Sequence, residues 1–173
     1  MDLFGNNKEI IRTLGFYQPF CSLMLHGKIE TRWVREGKKP PFPKGKYLFY
    51  STKKACTEDQ LQNWCGWMYN DFISPALLDD NTAQLNGYAL AVADLKDIRL
   101  MSVADERMAF VKYMGYDYRD DKDGNVIAYV QWCLEFENVQ AIEPFEFKFG
   151  KQGIGILPDS ERHKINIRKT LNK

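Results

Sequence analysis

The hydrophobic positions of this chain change period several times, and each change marks an element. Ile10 to Phe16 is β-branched and apolar, which predicts a short strand. Gln18-Pro19 follows, and proline suits the first turn of a helix because its missing N–H has no intrahelical partner there. Phe20, Leu23, Met24 and Leu25 then recur at helical spacing, with Gly27 placed to end the helix. From Ile29 to Val34 the period drops to two. Ile29, Thr31 and Trp33 fall on one side, and Glu30, Arg32 and Val34 on the other. A loop rich in Pro, Gly and Lys runs from Glu36 to Gly45, and Lys46 to Thr52 reads as the next strand.

Thr57 is a good N-cap for a helix from Glu58 to Asp71, with Leu61, Trp64, Cys65 and Met68 on its apolar face. Gly66 weakens that helix. Ser74 to Gly87 reads as a loop with room for one more helical turn. Tyr88 to Leu100 contains a buried strand, YALAVADL. Ser102 to Met114 fits a helix capped by Ser102, with Asp105 or Glu106 near its positive end. Val126 to Glu137 and Val139 to Phe149 read as two strands. Strands and helices do not alternate regularly, so a doubly wound parallel sheet is not expected. The expected fold is α+β: a mixed, mostly antiparallel, partly closed β-barrel with flanking helices. Residues 1–173 are expected to form one domain, with a core over 10–158 and a basic tail over 159–173.

Composition adds limits. The chain has 173 residues, 45% of them hydrophobic, which suits one core. The formal net charge is +1, so only the distribution of charge can point to a partner. The four cysteines (Cys21, Cys56, Cys65 and Cys133) form no C-x-x-C pair, and His26 and His163 lie far apart. A structural zinc site needs paired ligands; no metal or cofactor is expected, and the thiols read as buried and reduced. No signal peptide and no apolar run of membrane-spanning length is visible, so a cytoplasmic location is expected. Asp121 to Asn125 resembles a calcium loop only superficially. With Gly124 at its sixth position, Arg119 and Val130 fall where carboxylates are needed. A tight turn is the expectation.

Two local features carry chemistry. Between His26 and Lys54, nine basic residues (Lys28, Arg32, Arg35, Lys38, Lys39, Lys44, Lys46, Lys53 and Lys54) face two acids, Glu30 and Glu36. Trp33, Phe42, Tyr47, Phe49 and Tyr50 are interleaved with them. Cations bind phosphate and aromatic faces stack on unpaired bases. A second basic run, Arg162 to Lys173, reads either as a phosphate-contacting tail or as a soluble terminus. The other feature is the set Lys28, Glu30, Thr31 and Arg32. A lysine beside a hydroxyl and a carboxylate is the raw material of a nucleophilic or proton-transfer site. The pleat opposes this, because Thr31 points away from Glu30 and Arg32 in a regular strand. A Glu–Arg pair that ties the strand in place accounts for the same residues.

The segment Gln18-Pro19-Phe20-Cys21-Ser22-Leu23-Met24-Leu25-His26-Gly27 resembles the Gln-Pro helix of the ASCH family, in the PUA-like group. Ile29-Glu30-Thr31-Arg32-Trp33 resembles the end of that family's G-x-K-x-x-E-x-R signature. Lys46 to Lys54, Gly87 to Asp97 and Gly150 to Leu157 resemble three further segments in the same order. Gly27 and Glu30 are only three apart, so two alignments stand. One sets Glu30 and Arg32 on the family's Glu and Arg. The other sets Lys28 and Thr31 on the Lys and Thr of small ASCH proteins that hydrolyse acetylcytidine. The resemblance implies a cleft between the Gln-Pro helix and the next strand. Its implied ligand-binding positions are Gln18, Pro19, Arg32, Trp33, Ser51, Lys53 and Gln152. The expected function is binding of RNA, another nucleic acid or a modified nucleotide. The alternative is an amidohydrolase acting on an acylated base, with Lys28, Thr31 and Glu30 catalytic. A third reading is an adapter for an acidic protein.

Overall fold

In the computed structural model, which describes residues 9–73, 80–148 and 154–168, the β-branched and aromatic runs pair into one sheet of seven strands. These are β1 (Ile11–Gln18), β2 (Glu30–Arg35), β3 (Gly45–Ala55), β4 (Tyr88–Leu100), β5 (Tyr116–Asp120), β6 (Val126–Glu146) and β7 (Ile154–Ile156). The order is β2-β6-β4-β3-β1-β7, with β5 also paired to β6. All pairs are antiparallel except β1 with β3. The fold is thus mixed α+β and mostly antiparallel. The expected barrel closure is not seen: among the described residues, no pairing joins β2 at one end to β1 or β7 at the other.

Helix α1 (Phe20–Leu25) buries Phe20 to Met24 and packs on β1 and β3. Tyr47 and Phe49 of β3 are fully buried, and the Phe49 ring meets Phe136 edge-on at 4.8 Å. Each such side chain contributes about 1.5–3 kcal/mol through removal from water. Gly15 is required by a close approach, since a Cβ there would lie 2.7 Å from the buried Tyr50 ring and hydroxyl. Gly15→Ala is therefore expected to destabilise the fold by about 1–3 kcal/mol through overpacking. A denaturant midpoint equal to that of wild type would contradict this.

Several sequence expectations are corrected. The helix from Glu58 to Asp71 ends early, as α2 (Glu58–Cys65). Thr57 caps it in a reciprocal box with Gln60, but Gly66 takes φ 59° and breaks it before a separate helical turn at Tyr69–Ile73. The helix from Ser102 to Met114 is only a 3-10 turn at Val103–Asp105 followed by α3 (Glu106–Ala109). Phe110 turns left-handed at φ 55° and sends Val111 to Met114 out as irregular chain. The two strands expected over Val126–Glu137 and Val139–Phe149 are, as far as Glu146, one strand of 21 residues, β6, and Phe149 lies outside the described residues. Asn138, at φ 52°, absorbs the bend and bonds to Asp94 at 3.1 Å. The sequence reading missed β5, because YDYRD is too polar to stand out. The tight turn at 121–125 joins β5 to β6, with Asp121 accepting from the amides of Asp123 and Asn125 at 2.9 and 2.8 Å.

Within the described part of the C-terminal run, several cations are engaged. Arg162 pairs with Asp159 at 2.8 Å and Lys164 with Glu161 at 2.7 Å. Ile167 bridges to Ile142, and the Arg168 amide donates to Ala141 at 2.9 Å.

Candidate nucleotide-binding cleft

Lys28, Glu30 and Arg32 form one cluster. Lys28 Nζ donates to Glu30 Oε2 at 2.9 Å and to the Ile29 carbonyl at 3.0 Å. Arg32 donates to the other carboxylate oxygen of Glu30 and, at 3.3 Å, to the Thr31 carbonyl. The Lys28 and Glu30 side chains are almost wholly buried, while that of Arg32 is 33% exposed. Lys28 also sits 5.3 Å from the centre of the Phe20 ring, and Arg32 5.9 Å from that of Phe16. Burial would push the Glu30 carboxyl up. The Arg32 and Lys28 charges, with bonds from Lys28 and the Thr31 amide, outweigh it and hold the pKa below the usual carboxylate value. Two cations thus share one carboxylate, which leaves a net positive charge.

This cluster faces a cleft of about 740 Å³. Gly15 to Tyr17 of β1 line one side, and Glu30 to Trp33 of β2 line the other. The cleft therefore lies where the two ends of the sheet approach without pairing. Asn63 and Trp64 of α2, the 111–114 segment and β5 complete the walls. Gln131 holds that segment in place: its Oε1 accepts from the Met114 amide at 3.1 Å and its Nε2 donates to the Lys112 carbonyl at 3.3 Å. The Lys112 amide in turn bonds the Trp64 carbonyl at 3.1 Å. On β5, Arg119 pairs with Asp117 at 2.6 Å and covers the Tyr129 ring at 4.7 Å. The lining thus has five aromatic residues (Phe16, Tyr17, Phe20, Trp33 and Trp64), four cations (Lys28, Arg32, Lys112 and Arg119) and two carboxylates (Glu30 and Asp117).

Of the residues singled out from sequence, Lys28, Glu30, Thr31, Arg32 and Trp33 come together here. The pleat still separates them: Glu30 and Arg32 share a face with Trp132 and Leu134, whereas Thr31 and Trp33 share the face of Gln131 and Cys133. Both sets reach the cleft because it wraps over the edge of β2. Gln18, Pro19, Ser51 and Lys53 are not in the lining. Gln18 is buried. Its amide donates to the Thr82 and Leu85 carbonyls at 2.8 and 3.1 Å and accepts from Ser22. Pro19 begins α1 through a cis Gln18-Pro19 bond. Ser51 is buried and donates to the Leu85 and Tyr88 carbonyls. Lys53 is exposed near Gly87. Gln152 lies outside the described residues. Tyr47, Phe49 and Tyr50 are core residues rather than a stacking surface. Sequence reasoning missed Trp64, Lys112, Arg119 and Gln131 as cleft residues, because nothing local joins them.

The remaining polar groups are structural. Arg99 grips Asp105 with two bonds of 2.8 and 2.6 Å and Glu135 with one of 2.6 Å. His26 pairs with Asp80 at 2.8 Å, and Asp80 in turn bonds Thr82. Burial pushes the Cys65 and Cys133 thiols up to about 11, so they are poor nucleophiles. Among the described residues, no group of three or more His, Cys, Asp or Glu could hold a metal ion, and no helix is long and apolar enough to cross a membrane.

No family model matches the sequence, and no curated protein matches it. Solved structures of an ASCH protein from Zymomonas mobilis are similar to it. The unmutated protein is 12% identical, with a TM-score of 0.47, over 89% of this chain and 92% of that chain. Two of its point mutants give 13% and 11% identity and TM-scores of 0.46 and 0.45, over 89% of this chain and 92% and 94% of theirs.

Proposed function

We propose that this chain binds RNA or a free nucleotide in the cleft between β1 and β2. The observation that carries this reading is the cleft lining, in which five aromatic residues stand among four cations and only two carboxylates. Aromatic faces stack on bases of any sequence, and cations neutralise phosphate. Lys112 and Arg119 are the cations set away from the Lys28–Glu30–Arg32 cluster and suit the phosphate. Trp33 and Trp64, which keep exposed ring surface, suit the base, with the buried Phe16 and Phe20 rings behind them. The motif resemblance around Gln18 to Trp33 points the same way.

Titration of tryptophan fluorescence with single-stranded RNA and with the four ribonucleoside 5′-monophosphates tests this. Two neutralised phosphates predict that log affinity falls against log salt with a slope of roughly −1.4 for a single strand. Absence of binding to every probe, or affinity indifferent to salt, would overturn the reading. Acetylcytidine belongs among the probes. Its conversion to cytidine, lost in Lys28→Ala, would move the reading to the hydrolase instead.

A further inference from the structure

We infer that the cleft takes an unpaired nucleobase whose hydrogen-bonding edge is read by the backbone N–H and C=O of Trp33. This rests on the nucleotide-binding reading and names the form of nucleic acid that fits.

The argument begins with the pairing of β2. Among the described residues it is an end strand, bonded only to β6. In an antiparallel pair, successive residues turn their backbone groups alternately towards the partner and away from it. The Glu36 amide donates to Ala128 at 2.9 Å, which sets the phase. Val34, Arg32 and Glu30 then face β6, while Arg35, Trp33 and Thr31 face outward. Gln131, the Trp33 partner, agrees with this: its carbonyl bonds the Met101 amide at 2.9 Å, away from β2.

Most of this outward edge is already used. The Ile29 amide bonds the Met108 carbonyl at 2.8 Å, and the Ile29 carbonyl accepts Lys28. The Thr31 carbonyl accepts Arg32, and the Thr31 amide lies beside the Glu30 carboxylate. The Arg35 carbonyl accepts the Lys38 amide at 3.0 Å. The alternation leaves the N–H and C=O of Trp33 as the complete donor–acceptor pair open to the cleft between these blocked neighbours.

That pattern selects the occupant. An added peptide strand needs open donors and acceptors at every second residue of an edge, and here the flanking carbonyls of Thr31 and Arg35 are taken. A nucleobase needs one donor beside one acceptor, which is what a single residue offers. A base that lies against the aromatic lining must also leave its helical stack, so a duplex is excluded. The aromatic lining and the cation excess fit a base with its phosphate and give an apolar peptide no reason to prefer the site.

The test is amide hydrogen exchange on the intact, 15N-labelled chain, with each of the four ribonucleoside 5′-monophosphates and with ribose 5-phosphate as the abasic control. With a nucleotide at ten times its half-saturating concentration, exchange of the Trp33 amide should slow about tenfold. The ribose 5-phosphate control should leave it unchanged. An RNA single strand should compete for the cleft, and the same sequence as a duplex should not. Nucleotide binding without protection of the Trp33 amide overturns the inference and leaves nucleotide binding intact. Equal competition by duplex and single strand also overturns it. If no nucleotide or RNA binds at all, both readings fall together.

Discussion

Replacing Glu30 by alanine is expected to cost the fold about 3–5 kcal/mol, because it strands the buried Lys28 ammonium and brings it against Arg32 with no counter-charge. The Lys28 side chain is 2% exposed, and its ammonium lies 5.3 Å from the centre of the Phe20 ring, so it recovers little hydration when its counter-charge is removed. The pair need not stabilise the fold relative to an apolar pair of similar size. Removing one half of it is what costs. Lys28→Met together with Glu30→Gln should therefore be less damaging than Glu30→Ala alone, and denaturant unfolding of the single and double variants measures the difference. A Glu30→Ala protein as stable as wild type would sink the description of this cluster. The same group sets part of the acid response. Its folded pKa lies below its ordinary value of 4.5, so the fold favours the ionised form. The stabilising contribution is present above that ordinary value and is lost as pH falls through the lower folded pKa. Glu30→Gln should flatten this acid limb, but only partly, because Asp80 and Asp105 are held low in the same way.

Arg32→Ala should act on binding more than on folding. Its side chain is 33% exposed at the cleft, and Glu30 keeps Lys28 as a partner when Arg32 is gone. One charge-assisted bond from Arg32 to a base or ribose oxygen is worth about 1.5–3 kcal/mol, so nucleotide affinity should fall roughly 10- to 150-fold. The thermal midpoint should fall less than in Glu30→Ala. Arg32→Lys should restore charge without the planar fork, and so recover only part of the affinity. Unchanged affinity in Arg32→Ala would remove Arg32 from the site.

Most of the early chain was legible because its signals are local. Gln18-Pro19, the apolar run of α1 and the period-two stretch of β2 each depend on neighbours in sequence. The placement of Glu30 and Arg32 on one face followed from the pleat alone. The turn at 121–125 was legible for the same reason, since Asp121 bonds to residues two and four positions on. The helix expected over Ser102–Met114 failed because Asp105 does more than cap. It is held by Arg99, and Phe110 turns the chain out of the helix. The role of Gln18 was misjudged because its partners, Thr82 and Leu85, are more than sixty residues away.

By itself the sequence determined where β1 to β4 and the 121–125 turn form, which residues of β2 share a face, and that cations and aromatics concentrate near it. These follow from backbone geometry and side-chain chemistry within a few residues. Only the tertiary structure decided what that chemistry faces. It sorted the aromatics, sending Tyr47, Phe49 and Tyr50 to the core, leaving Phe16 and Phe20 buried where the core meets the cleft wall, and setting Trp33 and Trp64 on the cleft surface. It brought Lys112, Arg119 and Gln131 to β2 from across the chain, and it left the edge of that strand open beside β1. The physical reason is that a cleft between the two ends of a sheet is set by long-range pairing and sheet curvature, which no local pattern of residues encodes.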